Sequence, residues 1–561
     1  MRNKKKNVTL EEYENEFSYK KSKTNLNIEF NRIAFIFFVF LVISIIYSIQ
    51  LLHLGSLKKE VNGIKPLITK KNYRADIVDR NENYLVKTVS SIDIGINPIE
   101  VIDKKKLLIN LQLIFPNKNY KEISKKLEKN KYFYLEKKIT VDNYEKIMML
   151  GDKSIKSEEK LTRIYPQKNL FSHIIGQIDD DNNGISGLEK SFDKKLKQIK
   201  EPLQLTVDTD VQFLIREELI KFHSIFRSKG STAILMNVNN GEVISMVSYP
   251  DFDLNKRETV SDINFINRAT KGVYELGSVF KTFTVAAGLE EGLIKIDTEF
   301  LNLEKKLKCG KNTISEYDKK IPSNLTVEQI LIRSGNIGSV RIAQKLEIDK
   351  LKLFLEKIGV LSKIDFDIEE VGEPIPFRWG KCKLATVSFG HGITTTPLQL
   401  AKGYAVIANG GFEIKPSLVK RTLDNNQSQK RIIKEGVSKK INKILRKIVT
   451  TKEGTAGFAN IKGYDVGGKT GTAEKVIVGG YTRKAKVNTF VSIFPTSKPK
   501  YVMVILLDEP KTSEDYIYEY KNKSGSYKGT PFNTAGWTSV EVAGKIIERI
   551  GPILATKYIE N

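Results

Sequence analysis

Gly277-Ser278-Val279-Phe280-Lys281-Thr282-Phe283-Thr284-Val285-Ala286-Ala287-Gly288-Leu289 is too apolar for a helix with one face in water. It reads as a buried central helix with Ser278 in its first turn. Positions i and i+3 share a helix face, so the Lys281 amine comes within reach of the Ser278 hydroxyl. Alone, such a Ser-x-x-Lys means little in a lysine-rich chain. It recurs at Ser18, Ser56, Ser157, Ser191, Ser417 and Ser497, and a serine at a helix start is ordinarily an N-cap. What distinguishes Ser278 is its company: Ser334-Gly335-Asn336 and then Lys469-Thr470-Gly471-Thr472 follow it in order.

Together these residues supply a nucleophile, two candidate bases, an amide and a cationic strand. A serine hydroxyl attacks poorly until a base removes its proton, and none of the four histidines has a recognisable triad context. Lys281 is the nearest base. At a reference pKa of about 10.4, only about one lysine in 2,500 is neutral at pH 7, a deficit near 4.6 kcal/mol. Burial and a neighbouring cation both lower a lysine pKa. The apolar helix would provide the first and Lys469 the second, leaving Lys281 neutral and able to deprotonate Ser278.

Ser334 and Asn336 stand two apart, so in a short turn both side chains would face one cleft. Ser334 would relay a proton to a leaving amine and Asn336 would hydrogen-bond a substrate amide, although this motif by itself also reads as a plain polar loop. Lys469 to Thr472 follow Val466-Gly467-Gly468 and precede the β-prone stretches Asn488–Phe494 and Tyr501–Leu507, which predicts a strand lining the site. Gly471 would let a substrate backbone lie close against that strand. Thr470 and Thr472 would hold a carboxylate beside the Lys469 charge. The N–H groups of Ser278 and Thr472 would form an oxyanion hole, one such donor being worth about 10²–10³ in rate.

The ordered trio resembles the SxxK, SDN and KTG signature of β-lactamases and penicillin-binding proteins. The resemblance extends along most of the chain and is to the class B penicillin-binding proteins. Arg74-Ala75-Asp76-Ile77-Val78-Asp79-Arg80-Asn81 resembles the signature opening that family's non-catalytic domain. Arg163-Ile164-Tyr165-Pro166, His173-Ile174-Ile175-Gly176 and Gly184-Ile185-Ser186-Gly187-Leu188-Glu189 resemble its later signatures. Ser388-Phe389-Gly390-His391-Gly392 with Thr396-Pro397-Leu398-Gln399-Leu400-Ala401 resembles its SFGxG…TPLQLA block. Two positions depart from the pattern: Leu276 stands where many relatives have proline, and Gly335 where serine or aspartate is frequent. Neither removes a reacting group. Length and a single N-terminal anchor look more like the septal, cell-division branch (FtsI-like) than its elongation paralogue, penicillin-binding protein 2.

The resemblance implies a D,D-transpeptidase: Ser278 attacks a D-Ala-D-Ala stem peptide, releases D-alanine and passes the acyl group to a neighbouring stem's amine, and β-lactams acylate the same serine. It implies no cofactor. Expected partners are a polytopic glycan-polymerising membrane protein and other division proteins. Three alternatives share some of these features. A carboxypeptidase or β-lactamase would not need so large a non-catalytic segment. A β-lactam sensor would need a cytoplasmic effector, and a non-catalytic scaffold would not need three intact motifs.

At 561 residues the chain implies more than one domain. A formal charge of +26 invites a nucleic-acid reading, but the lysines are scattered with no basic helix or aromatic-interleaved patch, so no nucleic acid is expected. The positive balance favours anionic membranes or wall polymers. Cys309 and Cys382 are the only cysteines. A bridge between them is permitted outside the cytoplasm, and nothing in the sequence brings them together. Histidine and cysteine spacing offers no metal site.

Ile33 to Leu54 is almost wholly apolar and as a helix would span roughly 33 Å, matching the ~30 Å hydrocarbon core. It is longer than a signal-peptide core and lacks a small-residue cleavage site. Lys4, Lys5, Lys6, Lys20, Lys21, Lys23 and Arg32 precede it, which places the N-terminus in the cytoplasm. Lys58, Lys59 and Lys65 on the far side oppose that rule, and the resemblance decides for a periplasmic catalytic part anchored in the bacterial inner membrane.

The expected organisation is an α+β multi-domain chain. It comprises a cytoplasmic tail (1–32), a transmembrane anchor (33–54), an elongated β-containing pedestal (55–203) and a transpeptidase domain (204–561) with a five-stranded, mainly antiparallel sheet in an α/β/α sandwich. Ser231–Val238 and Glu242–Ser248 read as a hairpin across Asn239-Asn240-Gly241. Helices are expected at Val327–Arg333, at Pro397–Ala408 with its stop at Asn409-Gly410-Gly411, and near Thr538–Ile550. Ser513–Asn533, rich in Tyr, Lys, Gly and Ser, reads as a mobile loop. Arg74, Asp79, Arg80 and Glu189 read as structural ion-pair members.

Overall fold

The computed structural model describes residues 25–56, 73–256, 262–310, 312–421, 430–477, 480–521 and 524–557. The cytoplasmic tail expected over 1–32 lies largely outside these residues. Helix α1 (Asn25–Ser56) contains the apolar stretch Ala34–Leu52, long and apolar enough to cross a membrane. Its large apolar side chains, among them Phe35, Phe37, Phe40 and Leu52, are exposed, as lipid contact requires. Residues 1–69 and 70–561 form two separate units, and the second contains everything described below.

That unit begins with a mixed five-stranded sheet. Strands β1 (Ile77–Val78), β2 (Tyr84–Ile96), β3 (Phe133–Ile139), β4 (Ile155–Ile164) and β5 (Leu203–Gln204) take part. Strand β2 pairs antiparallel with β1, β3 and β4, while β1 pairs parallel with β5. Thirteen residues long, β2 extends about 40 Å and serves two cores. Ile94 and Ile96 near one end pack with the helices α2 (Lys104–Ile114), α3 (Tyr120–Glu128) and α4 (Val141–Met148). Leu85 and Val86 near the other end belong to the core that continues into the larger domain.

The junction is polar as well as apolar. Arg74, fully buried, donates to Glu189 and Asp193, and Arg163 donates to the other oxygen of Glu189 at 2.9 Å. Arg80 pairs with Glu242 at 3.2 Å across the junction. Among the described residues Asp79 forms no ion pair. Its carboxylate accepts from the backbone of Asn81 and Asn83 and from the Thr209 N–H and hydroxyl, so it closes a turn and caps the next helix.

The larger domain contains a wholly antiparallel five-stranded sheet in the order β10-β11-β12-β6-β7. These are β6 (Gly230–Asn237), β7 (Val243–Tyr249), β10 (Gly467–Ile477), β11 (Gly480–Phe494) and β12 (Tyr501–Asp508). The intervening hairpin β8 (Lys306–Cys309) and β9 (Asn312–Ser315) lies apart. Every residue of β12 is buried, which explains its continuous apolar run from Val502 to Leu507: helices cover both faces of this central strand. Helices α5 (Thr209–Ile225) and α12 (Ser539–Lys557) pack on each other and on the sheet. Helix α10 (Pro397–Ala408), with a capping box at Thr396 and Gln399, packs on β12 and β6 and against α11 (Glu435–Thr450).

Ser513–Asn533 differs from the expected mobile loop. Its described residues form a small hairpin, β13 (Ile517–Glu519) and β14 (Ser526–Lys528). Tyr518 is fully buried beside Tyr516, Phe458 and Trp537. The aromatic content that looked like solvent-facing loop is a satellite core.

Candidate active site

Ser278 lies in a 3₁₀ turn (Gly277–Val279) that leads into α6 (Phe280–Glu290), of which Phe280 to Leu289 are all buried. The turn is held from two sides. Tyr404 of α10 donates to the Val279 carbonyl at 2.8 Å. On the other side, strand β10 runs directly against the turn: a Cβ at Gly471 would meet the Leu276 carbonyl oxygen at 2.1 Å. The Gly471 gap is therefore filled by the nucleophile turn rather than left open for a substrate backbone. Gly277, at φ +63, approaches the Thr472 carbonyl in the same way, which brings the Ser278 turn and Thr472 backbones together.

Helix α7 (Val327–Ile332) leads to Ser334, and helix α8 (Asn336–Lys357) opens on Asn336. Ser334 is 3 % exposed and has φ +57, a left-handed conformation uncommon for serine. That turn points its groups at the two lysines. Lys281 donates to the Ser334 carbonyl, to Ser334 Oγ at 3.1 Å and to Asn336 Oδ1 at 2.7 Å. Lys469 of β10 donates to the same Ser334 Oγ at 2.8 Å and to the Thr470 carbonyl at 3.1 Å. The i, i+3 reach from Lys281 to Ser278 takes a different form: among the described residues no hydrogen bond joins them.

Both amines are fully buried. Burial holds Lys281 down to about 7, opposed by the negative charge of Glu316. It lowers Lys469 well below its ordinary value, helped by the charge of Lys281. Two amines bonded to one hydroxyl at 2.8 and 3.1 Å sit within about 6 Å of each other. At an effective dielectric near 20, two positive charges there would repel by about 3 kcal/mol, so near neutrality the pair keeps at most one proton.

Ser278, Ser334, Asn336, Thr470 and Thr472 open into one cleft of about 1420 Å³, larger than the ~300–1,000 Å³ usual for a small-molecule pocket and suited to an extended chain. Strand β10 is the outermost strand of its sheet, leaving one edge available to a peptide. Thr472 Oγ1 accepts from the Ala535 N–H at 2.9 Å. Thr470 Oγ1 is 2.7 Å from Thr455 Oγ1, so a third hydroxyl joins the threonine pair. Thr455 and Glu316 escaped the sequence reading. The pair Gly454-Thr455 offered only a weak signal, and Glu316 offered none, because its role depends on a contact with a helix reached later in the chain.

Residues 231–533 match the penicillin binding protein transpeptidase domain and residues 69–219 the penicillin-binding protein dimerisation domain. This is a serine acyl-transferase architecture on a two-domain frame, and the chain belongs to the penicillin-binding proteins, class B. A probable peptidoglycan D,D-transpeptidase FtsI of Caulobacter vibrioides is 32% identical over 86% of this chain and 82% of its own. The peptidoglycan D,D-transpeptidase FtsI of Buchnera aphidicola subsp. Baizongia pistaciae is 30% identical over 79% and 84%. The fold superposes on penicillin binding protein 3 of Mycobacterium tuberculosis with a TM-score of 0.64 at 20% identity, covering 87% of this chain and 97% of the other.

Proposed function

We propose that the protein is a membrane-anchored peptidoglycan D,D-transpeptidase of the septal, cell-division branch that also binds β-lactams covalently. The single observation that carries the reading is the convergence of Lys281, Ser334, Asn336 and Lys469 on one buried hydrogen-bonded cluster beside the Ser278 turn. Ser278 Oγ attacks the carbonyl carbon of the penultimate D-alanine, and its proton passes to neutral Lys281. Substrate entry tightens this contact, as hydrogen bonds absent from a free site commonly form on binding. N–H groups of Ser278 and Thr472 receive the charge that develops on the carbonyl oxygen. When the C–N bond breaks, the proton returns through Ser334 Oγ to the leaving D-alanine amine. An acceptor amine then attacks the ester, loses its proton to the same relay and frees Ser278.

The substrate's terminal carboxylate lies by Lys469, Thr470 and Thr472. Its charge favours the protonated form of Lys469. The pair's one proton then rests there, across Ser334 Oγ, and Lys281 stays neutral when the base is needed. Asn336 holds the stem amide.

Residues 55–203 form the pedestal and 204–561 the catalytic unit, with α1 crossing the inner membrane and the N-terminus in the cytoplasm. The eight basic residues before the span and a disulfide in the catalytic unit support that orientation. A polytopic glycan polymerase and other division proteins are the fitting partners. A fluorescent penicillin should label the detergent-solubilised full-length protein and fail to label a folded Ser278→Ala variant. Equal labelling of both would overturn the site. Release of D-alanine from a stem pentapeptide, with and without an acceptor stem, separates transfer from hydrolysis.

A further inference from the structure

Glu316 follows directly on β9 and belongs to none of the three motifs. Its carboxylate accepts from the Asn336 N–H at 2.7 Å and from the Ile337 N–H at 2.9 Å. These are the first two residues of α8, and no cap side chain within the helix satisfies them. A carboxylate at that end is favoured both by the open N–H groups and by the helix dipole. The neighbouring residue acts on the same side chain, because Asn336 Nδ2 donates to the Ser315 carbonyl at 2.8 Å. Asn336 is thereby fixed through its backbone and its amide nitrogen, leaving Oδ1 for Lys281 at 2.7 Å.

The hairpin that delivers Glu316 is itself tethered. Cys309, the last residue of β8, is bridged to Cys382 in the first turn of α9 (Lys381–Val387), with the two Cα atoms 5.3 Å apart. Helix α9 runs into Phe389, Gly390 and His391, which line the cleft beside Ser278. The bridge therefore ties the segment behind Ser334 and Asn336 to the cleft wall behind the nucleophile.

We infer that Glu316 is a positioning residue for acylation, holding Asn336 and through it Lys281, with the Cys309–Cys382 bridge anchoring the hairpin that carries it. The inference rests on the acyl-transfer reading above. The charged groups facing Lys281 are Lys469 from β10 and Glu316 from the end of β9. Glu316 is the one that favours protonated Lys281, so removing its charge moves the base toward its neutral form at lower pH. That shift in pH dependence is something a merely structural role would not produce.

The test measures second-order acylation of the full-length protein by a fluorescent penicillin from pH 5.5 to 9.5, with melting temperatures alongside. Glu316→Gln should lower the plateau rate about tenfold, as expected when a reacting group is slightly misplaced, and move the acid limb to lower pH. Glu316→Asp keeps the charge but is too short to reach both N–H groups. It should lose plateau rate with the limb near its wild-type position. The double variant Cys309→Ser, Cys382→Ser should lose plateau rate severalfold with the limb unmoved. Wild-type rate and profile in both Glu316 variants would overturn the inference, as would loss of rate in both with the Glu316→Gln limb unmoved. If the wild type itself fails to label, the acyl-transfer reading fails instead, and the two failures remain distinct.

Discussion

Lowering the pH from 8 to 6 should slow Ser278 acylation about tenfold, with a slope of one proton. Lys281 is held at about 7, so its neutral fraction is about ten-elevenths at pH 8, one half at pH 7 and one-eleventh at pH 6. An unperturbed lysine would instead lose rate tenfold per pH unit across this whole range, with no plateau below pH 10. The slope should not approach two, because both amines bond to Ser334 Oγ and a second positive charge there costs about 3 kcal/mol, or about two pH units. Rapid-quench labelling with a fluorescent penicillin below saturation reports the free enzyme, since second-order constants carry free-enzyme ionisations. Lys281→Met should abolish the reaction at every pH. A rate that is flat from pH 6 to 8, or one that falls a hundredfold over that interval, would refute the one-proton account.

The same depressed pKa makes a stability prediction of opposite sign to the activity loss. Between about 7 and its unfolded value, Lys281 binds more protons unfolded than folded, so its stability cost is largest at and below pH 7 and vanishes above the unfolded value. Lys281→Met should therefore be more stable to urea by about 1–4 kcal/mol at pH 7, since each pKa unit of depression is worth about 1.36 kcal/mol, with the gain shrinking toward pH 10. A destabilised variant would contradict this. Glu189 joins two buried guanidiniums, Arg74 and Arg163. Glu189→Ala leaves Arg163 without its carboxylate and Arg74 with Asp193 alone, and should cost about 3–5 kcal/mol, read as a lower urea midpoint. An unchanged midpoint would show that the network adds nothing to stability.

The fold was legible where local chemistry sets it. Asn239-Asn240-Gly241 marked the β6–β7 hairpin, and Thr396-Pro397 with Asn409-Gly410 marked both ends of α10, because turns and caps are properties of a few adjacent residues. The two lysines were legible as a pair because a base and a cation are needed near one serine. Less legible was which atoms they would touch, since the left-handed turn at Ser334, and not the α6 helix face, directs Lys281. Gly471 carried a glycine signal whose cause lay in the opposing Leu276 carbonyl, outside any window of neighbouring residues. Ser513–Asn533 misled for the same reason: its composition is that of a loop, and Tyr518 is buried only because Phe458 and Trp537 arrive from elsewhere.

These departures from local rules gather at one place. Two lysines are fully buried, with no carboxylate among the described residues bonded to either amine, a serine adopts positive φ, and a helix takes its cap from a residue twenty positions upstream. Each lowers stability or relies on a distant contact, and each acts on the same hydroxyl or on the amide beside it. Relaxing any one would favour the fold over the chemistry. A Ser334 turn in ordinary helical conformation would withdraw the oxygen shared by the two amines. An acidic partner for Lys281 closer than Glu316 would keep its proton on at neutral pH and remove the base. The strained arrangement persists because α6, α10 and β10 over-determine it from three sides, which is how a packed scaffold holds a lysine of lowered pKa beside a serine.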